Sequence, residues 1–152
     1  MATKAFLFVL ALSLAGCGAS SPSDPTTIAA IRTTTSFGFC VGYCRTTLEI
    51  TSAEAVFVKE GWRGEAPIRL TTRLTPAEWR DLAGAVDRRQ LEALPAVLGC
   101  PDCADAGAES LEVVATEWRK DVLFDYGAAV PALQPLLDKV RIVRRRLEST
   151  AG

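Results

Sequence analysis

Five cysteines are the side chains of this 152-residue chain best equipped for chemistry, and their spacing sorts them into one and two pairs. Cys40-Val-Gly-Tyr-Cys44 and Cys100-Pro-Asp-Cys103 are the pairs; Cys17 stands alone. Thiols at such short spacings can do three things. They can close local disulfides, cycle as a thiol redox couple, or turn their thiolates toward a metal ion. Four cysteines admit three pairings. The favoured reading is two local bridges, Cys40–Cys44 and Cys100–Cys103, with a cross-link between the two loops as the alternative. A C-x3-C and a C-x2-C separated by a long insert could also hold zinc in a tetrahedron of four thiolates. Cys100-x-x-Cys103 has the spacing of thiol redox sites, but there the first cysteine opens a helix that lowers its pKa. Here the chain continues into Ala104-Asp105-Ala106-Gly107-Ala108 and an expected strand.

Cys17 follows Lys4, an apolar run from Ala5 to Leu14 and the small-residue step Ala15-Gly16. That is the layout of a bacterial lipoprotein signal, so residues 1–16 read as a leader and Cys17 as the lipidated first residue of the mature protein. Its sulfur would carry a diacylglycerol and its amine a further acyl chain, palmitate among the candidates, each buried methylene adding roughly 0.8 kcal/mol of membrane affinity. A plain secretory signal is the alternative. An uncleaved anchor needs about 20 apolar residues, and this run gives way after Leu14 to Ala15-Gly16-Cys17-Gly18. Residues 17–27, with Ser20-Ser-Pro-Ser-Asp-Pro-Thr-Thr27, read as a flexible tether, and 28–149 as a single folded domain. Gly18 rather than Asp after the cysteine, by resemblance to Gram-negative lipoproteins, implies the outer membrane, facing the periplasm. That setting is oxidising and favours bridged over metallated thiols.

The chain holds no histidine, which excludes Ser-His-Asp triads, Cys-His pairs and histidine-bearing metal sites. It carries 17 basic and 18 acidic side chains, and loss of a leader containing Lys4 leaves 16 against 18, a net of −2. That balance gives no reason to expect nucleic acid. Asp102, Asp105, Glu109 and Glu112 gather acidic oxygens near the second cysteine pair, but not at calcium-loop spacing, so a solvated acidic loop is the expectation. Glu49, Glu54 and Glu109 offer carboxylate pairs of the kind glycoside hydrolysis uses, a weak signal among 18 acidic residues. No catalytic residue and no cofactor is expected.

The elements that must position these residues are legible from periodicity. Thr26 to Thr35 reads as a first, edge-like strand. Arg45–Ile50 alternates with Thr46, Leu48 and Ile50 inward, and Ala55–Glu60 returns with Val56 and Val58 on one face and Phe57 on the other, together a hairpin. Ile68, Leu70, Thr72 and Leu74 form another strand. Thr75-Pro76-x-Glu78 is a capping box with proline at the first helical position, opening a helix with Trp79, Leu82, Val86 and Leu91 inward that stops before Pro95. Ser110–Glu117 and Asp121–Tyr126 form a second hairpin turning near Arg119-Lys120. Pro131 opens a last helix with Leu133, Leu136, Leu137, Val140, Val143 and Leu147 as its apolar stripe. Arg141, Arg144, Arg145 and Arg146 near its end suit the helix dipole or, alternatively, anionic headgroups and cell-wall polymers. The expected fold class is therefore α+β: an antiparallel sheet of two hairpins plus extra strands, packed against two helices.

Phe37-Gly38-Phe39 and Tyr43 interleave with Cys40 and Cys44. Aromatic rings on a disulfide-fixed loop make a rigid binding surface, and they can equally cap the open end of a sheet core. The stretch from Phe37 through Leu48-Glu49-Ile50 to Val56-Phe57-Val58-Lys59-Glu60-Gly61 resembles a family of small exported bacterial domains of unknown function. Their pattern is Cys-Phe-Gly-x-Cys-Pro-x-Tyr, then a Leu-x-Ile strand and a Val-x-Tyr-x-Gly strand. Ser36 replaces the first cysteine of that pattern, Val41 replaces the proline and Cys44 is added, so the resemblance carries neither a disulfide pattern nor an activity to this chain. The resulting expectation is a non-enzymatic envelope lipoprotein, held to the membrane by lipid. It presents Phe37, Phe39, Tyr43, Asp102 and Asp105 on loops 36–44 and 95–109 to an envelope protein or a cell-wall polymer. A thiol redox protein using Cys100 and Cys103, or a four-thiolate metal protein, is the alternative.

Overall fold

The computed structural model describes residues 27–149; the leader, Cys17 and residues 18–26 of the expected tether lie outside them. Seven strands form one sheet in the order β4-β3-β2-β1-β6-β7-β5. They are β1 (Ile28–Ser36), β2 (Tyr43–Thr51), β3 (Glu54–Gly61), β4 (Ile68–Arg73), β5 (Val97–Leu98), β6 (Ala108–Ala115) and β7 (Arg119–Asp125). All neighbours run antiparallel except β5 and β7. The helices are α1 (Pro76–Ala83), α2 (Arg88–Ala93) and α3 (Gln134–Ser149). The fold is the expected α+β class, and among the described residues no helix is long and apolar enough to cross a membrane.

Strand alternation produces two unlike faces. On the covered face, Ile31, Leu48, Ile50, Phe57, Leu111, Val113, Val122 and Phe124 are buried, in one core with Leu82 of α1, Leu91 of α2 and the α3 stripe. Leu133, Leu136, Leu137, Val140, Val143 and Leu147 are all buried. Burying each such side chain is worth roughly 1.5–3 kcal/mol, several times a helix-dipole contact of about 0.3–1 kcal/mol, so the stripe, not the arginines, docks α3. The open face carries the opposite members: Arg32 donates Nε to Glu49 at 2.5 Å and Nη1 to Glu112 at 3.2 Å, and Arg119 pairs with the same Glu112. These two carboxylates raise the pKa of Arg32. Burial first, and Glu112 second, push Asp121 upward beside them.

Four expectations are corrected. The strand expected at an edge, β1, is the central one, between β2 and β6. Its threonines suit an edge, yet Thr33 and Thr35 are buried, and the Thr35 hydroxyl is satisfied inside by Thr46 at 2.5 Å. The helix expected from Thr75 to before Pro95 is two helices, so three pack on the sheet, not two. The Thr75/Glu78 capping box forms as read, but Gly84 closes α1, tight turns carry Ala85 and Val86, and Asp87 caps a new helix by accepting the Gln90 amide at 3.1 Å. The second hairpin turns at 116–118, closed by Ala115 N–H donating to Trp118 O, with Arg119 and Lys120 already in β7. The chain at Pro131 makes turns, and the regular last helix begins at Gln134.

Candidate functional site

Strand register sends four connections to the same end of the sheet. Ser36 pairs with Arg45 and Ala108, Tyr43 with Gly61, Lys59 with Ile68, and Ala108 with Asp125. The β1–β2 loop (37–42), the β3–β4 loop (62–67), the β5–β6 loop (99–107) and the start of the β7–α3 segment (126–133) therefore lie together. Among the described residues the opposite end has the tight turns at 52–53 and 116–118 and the β4–α1 junction. Ile28 enters there, opposite Ala115.

Both cysteine pairs fall at the loop end, and each closes locally: Cys40 with Cys44 and Cys100 with Cys103, at Cα separations of 5.5 Å. The two bridged loops are also joined to each other. Gly38 N–H donates to Asp102 Oδ1 at 3.2 Å, and Asp102 N–H donates to Gly107 O at 3.1 Å. Cys100 N–H donates to Asp125 Oδ1 at 3.2 Å, tying the second loop to the end of β7. The Phe37 ring meets Tyr126 edge-on at 4.8 Å and covers Gly107, whose φ of +87° and lack of a Cβ leave room for it. Tyr43 Oη donates to Ala66 O at 3.1 Å and fastens the β3–β4 loop. In that loop Glu65 accepts the Arg63 amide at 2.8 Å, which holds its carboxyl below the usual range.

Asp102, Ala104 and Asp105 all adopt positive φ. For a residue with a Cβ this is unfavourable, on the order of 1–3 kcal/mol at alanine and less at aspartate. Such a loop persists only because its surroundings fix it, here the Cys100–Cys103 bridge and the Asp102 and Asp125 hydrogen bonds. Neither cysteine opens a helix: Cys103 begins a three-residue 3-10 turn interrupted by left-handed Ala104. The helix N-terminus that lowers the thiol pKa in such redox motifs is therefore not formed here.

The expected binding residues divide. Phe39 is 84% exposed and Tyr43 38% exposed. Phe37 is half-buried against Tyr126, and Asp102 is turned inward to Gly38. Asp105 is exposed. Three apolar side chains that sequence reading did not single out join them: Val41, 95% exposed, Trp62, 69% exposed, and Tyr126, 49% exposed. The available signal for Trp62 was its place between Gly61 and Gly64, where a tryptophan has no strand to bury it. Beside Tyr126 an apolar cleft of about 470 Å³ opens between β5, the end of β7 and the β7–α3 segment, walled by Leu98, Phe124, Val130 and alanines, with Asp125 its one charged group.

The acidic residues read as a loose cluster do not converge. Glu109 lies on the covered face, 3.8 Å from Arg141, whereas Glu112 lies three residues on and so on the open face with Arg32. Glu49 is on that open face too, so it forms no pair with Glu109. Among the described residues no group of three or more Cys, Asp or Glu is placed to hold a metal ion. The arginines of α3 are engaged within the fold: Arg141 with Glu109 and Asp138, Arg144 with Glu148 and over the Phe57 ring, Arg146 with Glu78. Arg145 is exposed. What the loop end offers chemically is a set of exposed apolar side chains on braced loops and, lined by other residues, an apolar cleft, each fit for recognition by contact. No protein-family model and no curated protein matches this chain.

Proposed function

We propose that this protein is a cell-envelope lipoprotein whose folded body is a non-enzymatic binding module. It presents the disulfide-braced end of its sheet to an envelope protein or a cell-wall polymer. In this reading Cys17 carries the lipid, the outer membrane holds it on the periplasmic side, and neither a cofactor nor nucleic acid takes part.

The observation that carries the reading is the polarity of the molecule. Both bridges and the exposed Phe39, Val41, Trp62 and Tyr126 sit at one end, and the chain arrives from Cys17 at the other, where Thr116 N–H donates to Thr27 O at 3.0 Å. The nine residues of β1 span roughly 30 Å at about 3.3 Å each. A tether over residues 18–27 adds up to about 35 Å at full extension. Entry of the chain at the turn end leaves the aromatic end free to face away from the membrane that the lipid would occupy. Singly exposed apolar residues need no explanation on a soluble domain, but several on braced loops at one end do.

Metabolic labelling with a palmitate analogue tests the anchor. The full chain incorporates label and partitions with membranes, and Cys17→Ser abolishes both while the two bridges still form. Labelling that survives Cys17→Ser, or no labelling of the wild type, contradicts the proposal.

A further inference from the structure

The two lateral edges of the sheet, β4 and β5, are unlike. At one edge β5 has two residues, Val97 and Leu98, before Gly99 and the Cys100–Cys103 bridge turn the chain away. Shortness of this kind is how natural sheets blunt an edge. At the other edge β4 runs six residues, Ile68 to Arg73, about 20 Å at 3.3 Å each. One side of β4 is paired with β3 along its full length. Among the described residues no hydrogen bond from any element but β3 reaches the backbone of Ile68–Arg73. The outward-facing amides and carbonyls of β4 are thus a template for one more strand.

The side chains of β4 say what kind of strand. Arg69 and Arg73 are exposed on the open face, and neither makes an ion pair with a carboxylate among the described residues. Glu54 stands opposite Arg73 in register without bonding it. On the covered face Ile68 is 38% exposed and Leu70 half-buried, leaving apolar surface beside an incoming strand. A second copy of this chain adding β4 to β4 would bring four arginines onto one face within a few residues, a like-charge arrangement that is unfavourable across strands. An extended segment with acidic residues on one face and apolar residues on the other meets both sides of β4 with complementary chemistry.

We propose that β4 is a docking edge for an extended acidic peptide segment of a partner protein, added antiparallel or parallel as an eighth strand, its carboxylates set against Arg69 and Arg73 and its apolar residues beside Ile68 and Leu70. The proposal is independent of what the loop end binds.

The test uses purified full-length protein and fluorescent peptides that alternate valine with glutamate, valine with lysine, or valine with glutamate broken by proline. The glutamate peptide binds saturably, hydrogen exchange slows at Ile68–Arg73, and raising the salt weakens binding. The Arg69→Glu, Arg73→Glu double variant lowers the affinity by about tenfold or more, and Arg69→Lys, Arg73→Lys restores most of it. The proline-broken peptide, which cannot complete the ladder, does not bind. Equal binding of the lysine peptide, protection at the loop end instead of β4, or no saturable binding overturns the proposal. So does concentration-dependent dimerisation with protection of β4, which would give the edge to a second copy.

Discussion

The two ends of this sheet solve the same problem, how to finish a strand, by different physics. At the turn end the connections are short and close on their own hydrogen bonds. Thr51 Oγ1 donates to Glu54 O and accepts from Ala53 and Glu54 amides, Leu74 N–H donates to Ala53 O, and Thr75 and Glu78 cap α1. At the loop end the connections are long, hold three non-glycine residues at positive φ, and leave large apolar side chains in water. Local backbone propensity would not hold such loops. Two bridges and a few loop-to-loop hydrogen bonds do. A protein accepts unfavourable backbone and exposed rings where they serve recognition, and that asymmetry is why the loop end is the candidate site.

Phe57→Ala, in the middle of the covered face and 1% exposed, empties a core site on which both ends depend. It should lower unfolding stability by about 3–5 kcal/mol in urea titration. A loss below about 1 kcal/mol would mean that the ends are held independently of the shared core. Removing the Cys100–Cys103 bridge by Cys100→Ser with Cys103→Ser should cost about 2 kcal/mol, the value for so short a ring. Hydrogen exchange should quicken in 99–107 and 37–42, which share the Gly38–Asp102 bond, and stay slow in β1 and β6. Equal loosening at the turn end would contradict the division drawn here.

Acid probes both ends, because each has a carboxylate held low, in both cases first by a backbone amide, and only at the turn end by an arginine as well. The Thr75 amide, then Arg146 and the Thr75 hydroxyl, hold Glu78 at the turn end down from 4.5 to about 2. At the loop end the Arg63 amide lowers Glu65. A carboxyl lowered in the folded state adds stability above its unfolded value and loses it as the pH falls through its folded value. Thermal stability should therefore decline between pH 4.5 and about 2, and Glu78→Gln, which keeps the capping hydrogen bond, should flatten that decline. An unchanged slope would show that Arg146 and the cap do not hold the charged form. The smallest effect belongs to the exposed rings: Phe39→Ser with Trp62→Ser should leave stability within about 0.5 kcal/mol, since neither packs into the core.

How much of this was legible in the sequence follows from the range of the forces involved. The hairpins, the α3 stripe and the Thr75 cap obey local periods of two, three and four residues, and sequence carries these directly. The central place of β1 is a pairing decision. Its threonines suit an edge when read alone, and the buried Thr35 hydroxyl is satisfied because Thr46 lies across from it. The break between α1 and α2 rests on Gly84 and on Asp87 with Gln90, a second cap buried in an otherwise continuous apolar pattern. At the site, the cysteine pairing was favoured from spacing, but the fates of Phe37 and Phe39 were not separable. Both flank Gly38, yet Phe37 turns inward only because Gly107 and Tyr126, far along the chain, make a place for it. Trp62 and Val41 gave no periodic signal at all, because exposure has none.

The proposed function puts recognition at the braced end of the sheet and not at the turn end. Photo-crosslinking in intact cells tests it most directly, with the probe placed at Phe39 or Trp62 at the loop end and at Ser52 or Glu117 at the turn end, all exposed. A discrete crosslinked species is expected from Phe39 and Trp62, lost when Cys100 and Cys103 are both serine, and none from Ser52 or Glu117. The same species from the turn-end positions, with none from Phe39 and Trp62, would contradict it.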